Sequence, residues 1–325
     1  MIRNLYLFCM KGDIALAQHV FIIGATGFVG GAVARHFVSR RFRVTGLARS
    51  GEAAGRLRAA GMTVQIGDLA ERLLTVTEFA RNADVVMFAA QVPPHVELDA
   101  VKALLDALDG SGKTFVFLSG SGVLCQRTQG AWSAESFGED DPFEPEPLAV
   151  ARVEAETLVR ATSSRGIRGI VMRPPLIWGP EDHGHVSMVY RSVAATGAAC
   201  YIGDGLAAYS NVHVDDIARL FELAVTKGEG GAVYHAAAGE IPNRWIAEAV
   251  ARDLGCETRN VSMSEAADIW GEFGALIMSV SSRVRDAQTR KSLGWSPRHT
   301  DMLSEIGEPR LRTLATSSTL EGTQQ

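Results

Sequence analysis

Cysteine is scarce in this 325-residue chain. Cys9, Cys125, Cys200 and Cys256 stand far apart, with no C-x-x-C pair and no histidine at ligand spacing. That scatter excludes a disulfide framework, gives no reason to expect a metal site, and fits free thiols in a reducing compartment. An excess of positive charge is missing too. The formal net charge is −5, which argues against a nucleic-acid footprint, and no basic amphipathic stretch suggests a membrane surface. The apolar run from Leu5 to Met10 falls well short of the ~20 residues of a membrane span. Lys11 and Asp13 interrupt it before it can serve as a signal peptide. Tyrosine is absent between Tyr6 and Tyr190, and lysine between Lys113 and Lys227. Where the two gaps overlap, no phenol or ammonium is available to carry a proton.

What is present suits a globular protein of one large domain with a smaller lobe: 46% of residues are hydrophobic and 21% charged. Residues 1–18 are expected to be a loosely packed extension, with Met10 as an alternative start, and the protein is expected to be cytoplasmic. From His19 the chain alternates short apolar runs with amphipathic segments, the signature of a parallel sheet with crossover helices. Strands are expected at "HVFIIG", "FRVTGLA", "MTVQIGD", "ADVVMFAA", "KTFVFLSG" and "IRGIVMR". Residues Ser121 to Pro147 form a long polar loop, of the kind that is usually functional, before a helix from about Leu148 to Thr162. The fold class expected is α/β: a Rossmann-like, doubly wound parallel sheet over 19–173, then a smaller substrate lobe over 174–300 with segments returning to the sheet. Residues 301–325 read as a tail, disordered at its end.

"FIIGATGFVGGAVARHF" carries the strongest signal. Gly24, Gly27 and Gly30 are spaced G-x-x-G-x-x-G between a strand and the helix it feeds, with Thr26, Phe28 and Val29 filling the loop. A turn with positive φ, close backbone approach to a pyrophosphate and a helix N-terminus donating amides all call for residues without a Cβ. The end of the second strand holds Ala48, Arg49 and Ser50 and no carboxylate. A guanidinium there favours a ribose 2′-phosphate, so NADP(H) is expected over NAD(H); a solvated Arg49 that touches no cofactor is the alternative. Asp68, followed by Leu69, is placed either to accept the adenine amino group or to cap the next helix. Ala89 and Ala90, closing the fourth strand, let the sheet edge approach the cofactor or simply pack.

"GATGFVG", "GDL", "ADVVMFAA", "FVFLSGSGV", "AVARVEAETLV", "VMRPPLIWGP", "YIGDGLAAYSNVHVDDIARL" and "LGWSP" follow one another from about His19 to Pro297. In that order they resemble the extended short-chain dehydrogenase/reductases, the epimerase/dehydratase-like branch. The resemblance implies a Ser or Thr after the fifth strand and a Tyr-x-x-x-Lys pair on the next helix, whose lysine grips the nicotinamide ribose while the tyrosine moves the substrate proton. It implies that Pro174 and Pro175 shape the backbone beside the nicotinamide, and many relatives form homodimers. Position by position, the tyrosine is replaced by Leu148 and the lysine by Arg152. Strict register puts Gly120 at the hydroxyl position, between Ser119 and Ser121. Leucine transfers no proton. Arg152 is able to bond ribose hydroxyls but is too basic to shuttle protons; an exposed arginine paired with Glu156 at i+4 is the alternative.

Replacement proton donors are therefore sought among Ser119, Ser121, a water, and the loop histidines His183 and His185 beside Asp182. Tyr201 and Tyr209 are weaker candidates, expected mainly to pack. His213 reads as structural, with Asp215 and Asp216 as the cap and first turn of the next helix. Arg173 and Arg283 are placed either to hold anionic substrate groups or as surface charges, and Trp132 either covers a substrate or pins its loop. Two functions remain open: an atypical NAD(P)-dependent oxidoreductase or epimerase-like enzyme acting on a small molecule, or a non-catalytic NADP(H)-binding sensor or partner-binding protein on the same frame.

Overall fold

The computed structural model describes residues 18–180 and 184–316. Its centre is a seven-stranded sheet in which every pairing is parallel. The first six strands are β1 (His19–Ile23), β2 (Arg43–Ala48), β3 (Thr63–Ile66), β4 (Val85–Phe88), β5 (Thr114–Leu118) and β6 (Arg168–Arg173). Between them run α1 (Phe28–Ser39), α2 (Gly51–Ala59), α3 (Leu73–Arg81), α4 (Pro94–Ala107) and α5 (Val150–Arg160). Strands covered on both faces have no solvent side, so they read as unbroken apolar runs. Alternate residues then serve two cores. Val20, Ile22, Val85, Met87 and Val116 face one; Phe21, Ile23, Val86, Phe88, Phe115 and Phe117 face the other, which α3, α4 and α5 cover.

Past β6 the chain builds β7 (Leu176–Trp178), α6 (His185–Thr196), β8 (Ala199–Ile202), β9 (Ala208–His213) and α7 (Val214–Lys227). It then returns to the main sheet as β10 (Val233–His235), which pairs with β6 and completes the order β10-β6-β5-β4-β1-β2-β3. α7 packs against α1. The remaining elements are β11 (Gly239–Pro242), α8 (Asn243–Leu254), β12 (Thr258–Val261), α9 (Met263–Ser279), α10 (Ala287–Leu293) and α11 (Pro309–Leu314). β11, β9 and β7 form a small mixed sheet, and β12 pairs with β8.

A third core, around Tyr190, Trp178, Ile246 and Met278, holds the lobe together. Met302 and Leu311 are buried in that same core, so the packed chain extends past residue 300, where the sequence had suggested a tail. Residues 1–17 and 317–325 lie outside the described residues. Among the described residues, no helix is long and apolar enough to cross a membrane.

Candidate functional site

The glycine loop joins β1 to α1 where the carboxyl ends of β1 and β4 meet, the crevice in which doubly wound sheets bind ligands. Gly24 has φ +94°, and a Cβ on it would lie 2.4 Å from the Ala89 carbonyl oxygen. A Cβ on Gly30 would lie 2.2 Å from the Gly24 oxygen. Both glycines are therefore demanded by the chain itself. Gly27 differs: its φ is −84°, and an added Cβ would meet only the Gly24 oxygen, at 3.4 Å. Nothing inside the fold requires glycine there, so the open space belongs to whatever approaches the loop from outside. α1 has no side-chain cap and no acidic residue in its first turn, which leaves its leading amides available to an anion.

At the end of β2, Ala48 is buried and Arg49 exposed, with no ion-pair partner for Arg49 among the described residues. Ser50 caps α2 by accepting the Ala53 amide at 3.2 Å. Asp68 does not cap α3. Its Oδ1 accepts the Ala70 and Glu71 amides at 2.8 and 3.1 Å, holding the turn that precedes the helix. Leu69 is buried in the core, and Ala89 and Ala90 are half-buried beside the glycine loop. The residues present thus fit a dinucleotide: amides for a pyrophosphate, space at Gly27, and an exposed guanidinium at the end of β2.

Leu148 stands in a 3-10 turn (Pro147–Ala149) just before α5 and is 52% exposed. Arg152, one turn on, does not pair with Glu156. It donates to Glu97 Oε2 on α4 at 2.6 Å. The Glu97 side chain is only 3% exposed; burial raises its carboxyl above the usual range, with the Arg152 charge pulling the other way. Glu156 belongs instead to Arg173: both are buried, Arg173 Nε lies 3.0 Å from each Glu156 oxygen, and a further bond joins Nη2 to Oε2. The Phe143 ring lies 5.0 Å from that guanidinium. Arg173 is therefore neither a substrate-holding cation nor a surface charge. Arg283 is engaged as well, donating to Glu240 at 2.7 Å and to the Ser133 carbonyl at 2.8 Å, with its guanidinium 4.6 Å from the centre of the Trp132 ring. Trp132, 52% exposed, is pinned by that contact.

β5 ends at the hydroxyls. Ser119 and Ser121 are both buried; their amides donate to the Met172 and Pro174 carbonyls at 2.8 and 2.9 Å. This fixes the β5 exit against Pro174 and Pro175, which are buried. The Ser121 hydroxyl is tied to Ser282 Oγ at 2.8 Å, whereas Ser119 Oγ is buried without a hydrogen-bond partner. The long loop is anchored by a 3-10 turn (Ser121–Leu124) and by bridges from Gln126 to Ser281 and from Phe137 to Val284.

Asp182 and His183 lie outside the described residues. His185 is not a loop residue: it opens α6 and is 1% exposed. Its Nδ1 is 2.7 Å from Asn243 Oδ1, and burial pushes its pKa down to about 4. The Tyr209 ring, also buried, meets it edge-on at 4.7 Å. Tyr201 is half-buried, with the Arg244 guanidinium 5.7 Å from its ring centre. His213, rather than Asp215, caps α7, its Nδ1 accepting the Asp215 amide at 3.2 Å. His213, Asp215 and His299 bring ligand atoms within 4.8 Å of one another. The two Nδ1 atoms are already used, the second facing Asp216 at 3.2 Å.

The Arg152–Glu97 and Arg173–Glu156 pairs were invisible to sequence spacing, because their partners are 55 and 17 residues apart. Only the rarity of a buried carboxylate in the apolar face of α4 hinted at Glu97.

This geometry has relatives. The family model of the NAD-dependent epimerases/dehydratases matches residues 20–237. An uncharacterised protein of Schizosaccharomyces pombe is 32% identical over 299 residues, spanning 89% of this chain and 98% of its own. A 4-hydroxy-2-methyl-3-oxo-4-farnesyl-3,4-dihydroquinoline-1-oxide ketoreductase of Stigmatella aurantiaca is 27% identical over 67% of each chain. Among solved structures, UDP-glucuronic acid 4-epimerase from Bacillus cereus, in complex with UDP-glucuronic acid and NAD, superposes with a TM-score of 0.71 at 16% identity, covering 91% of this chain and 99% of that one. The glycine loop at the head of an all-parallel sheet and the match over two thirds of the chain have one reading: this protein belongs to the NAD-dependent epimerase/dehydratase family.

Proposed function

We propose that the protein is an atypical oxidoreductase that binds NADP(H) in preference to NAD(H) and acts on a small molecule. The observation that carries this is Gly27: a glycine that the fold does not need, at the uncapped start of α1, with Arg49 waiting at the end of β2. In this reading the α1 amides hold the pyrophosphate, Arg49 the 2′-phosphate, and Arg152, oriented by Glu97, the nicotinamide ribose. A bound reduced nicotinamide supplies hydride. The chain's own part is to fix that ring against the Pro174–Pro175 backbone and to exclude water, since positioning alone accounts for much of such a barrier. The absent tyrosine costs roughly 10² to 10⁴ in rate, a loss that an activated carbonyl or conjugated double bond tolerates best. The ketoreductase among the relatives supports the reductive direction.

The locked Arg152–Glu97 pair favours a second reading, an NADP(H)-binding sensor, because the side chain at the expected lysine position is already tied to a carboxylate. Fluorescence titration with NADPH and NADH, followed by turnover on ketones and enones, separates the two. Tighter NADPH binding with cofactor oxidation is expected; NADPH binding without turnover supports the sensor. Gly27→Trp is expected to fold normally and bind neither cofactor. Equal, negligible uptake of both cofactors by the native chain and by the variant overturns both readings.

A further inference from the structure

Six side-chain atoms are buried among the described residues without a hydrogen-bond partner, and two of them, His185 Nε2 and Tyr209 OH, belong to rings in contact. The protonation of the imidazole follows from its other neighbours. Asn243 Nδ2 donates to the Met278 carbonyl at 2.8 Å, which turns Asn243 Oδ1 toward His185 Nδ1 at 2.7 Å. Nδ1 must therefore carry the hydrogen. Burial keeps the ring neutral, so Nε2 presents a bare lone pair. Tyr209 OH is the complementary group, a donor held neutral because burial raises its pKa far above the ordinary value, with Cys125 as a lesser contributor.

The backbone beside the pair is linked to the β5 exit. Tyr209 bridges to Ser282 in β9's border pairing, and Ser282 Oγ is the partner of Ser121. Ser119 Oγ, just past the end of β5, is a third orphan. Leaving a buried donor and a buried acceptor unmet is costly. Such groups call for an occupant, whether a water, an ion or a ligand. The surrounding cations are consumed: Arg173 by Glu156, Arg283 by Glu240, Arg152 by Glu97.

Resting on the reading of this cleft as a substrate site, we propose that His185 and Tyr209 form a subsite for one hydroxyl of an uncharged substrate. The phenol donates to the hydroxyl oxygen and the imidazole Nε2 accepts its hydrogen. A carboxylate or phosphate is refused, because it offers Nε2 no hydrogen and finds no free cation. The subsite recognises alcohols and enols, and the sugar-like hydroxyls of neutral molecules, in preference to acids.

The test needs no turnover, so its failure is distinguishable from failure of the proposed activity. The full chain is labelled with ¹⁵N-histidine, and the His185 Nε2 resonance is assigned by its loss in His185→Gln. 2-Propanol and cyclohexanol, each added with NADP⁺, are expected to shift that resonance upfield in a saturable manner, while acetate and inorganic phosphate leave it in place. Tyr209→Phe is expected to weaken cyclohexanol binding roughly tenfold. In the free chain the same substitution is expected to raise Tm, since it deletes an unmet buried hydroxyl; a purely structural tyrosine would lower it. The proposal is overturned if Nε2 is already hydrogen-bonded in the free chain (an internal water as its only occupant), if no alcohol moves it, or if the anions move it equally.

Discussion

Gly120 holds the place where relatives carry a hydroxyl, yet its backbone does not require glycine. Its φ of −179° is extended, and an added Cβ would come only to 3.7 Å from the Pro174 carbonyl oxygen. Leu148 is exposed, so a larger ring fits, and a lysine at 152 still offers Glu97 a cation. The triple variant Gly120→Ser, Leu148→Tyr, Arg152→Lys is therefore expected to fold and to reduce cyclohexanone with NADPH at least about tenfold faster than the native chain, the low end of what a positioned acid contributes. Absorbance of the reduced cofactor measures it; a folded variant with no gain would show that the cleft is not shaped for carbonyl reduction. At this scale the sequence was informative about identity and misleading about partners. Leu148 and Arg152 were found by register, but the partner offered as Arg152's alternative role was Glu156, because helical spacing sees only neighbours four residues away. Its true partner arrives from another helix.

Between α5 and β6, the Arg173–Glu156 pair is a buried bidentate bond with Phe143 against the guanidinium. Removing one member leaves a buried charge alone. Arg173→Met is expected to cost about 3–5 kcal/mol in urea unfolding, whereas Arg173→Met with Glu156→Leu should return most of it. A double variant as unstable as the single would mean that the pair organises the surrounding contacts. Elements with a clean period were legible: the helix expected from about Leu148 to Thr162 is α5 (Val150–Arg160), extended at each end by a 3-10 turn. α9 was missed. Gly271, at φ +73°, interrupts it and breaks the 3.6-residue rhythm. Its capping box, Ser262 with Glu265, was a usable signal of its start.

Across the whole molecule, buried histidines are expected to lower stability as pH falls below neutrality. His185 has an ordinary value of 6.5 and a folded value of about 4, so the unfolded chain binds its proton first. The stability it confers is complete above pH 6.5 and is lost as pH falls toward 4, in total about 3 kcal/mol. His213 and His235 are also pushed down, chiefly by burial, and act in the same direction. Denaturant unfolding from pH 7 to pH 4.5 is expected to show a steep fall that His185→Phe makes shallower; an unchanged slope would contradict the assigned burial of the neutral ring. The α/β order of the first half was readable in the sequence because each strand is a continuous apolar run. The strand pairing of the lobe was not, because its short strands pair across distances that no local pattern records.

β10 carries a consequence for how this chain is made. It occupies the outer edge of the sheet beside β6, yet it is translated about sixty residues later, after β7, α6, β8, β9 and α7. During synthesis, a nearly finished parallel sheet must wait on the ribosome with its β6 border unzipped. A chain released with its end between residues 174 and 232 would present that border to any passing strand.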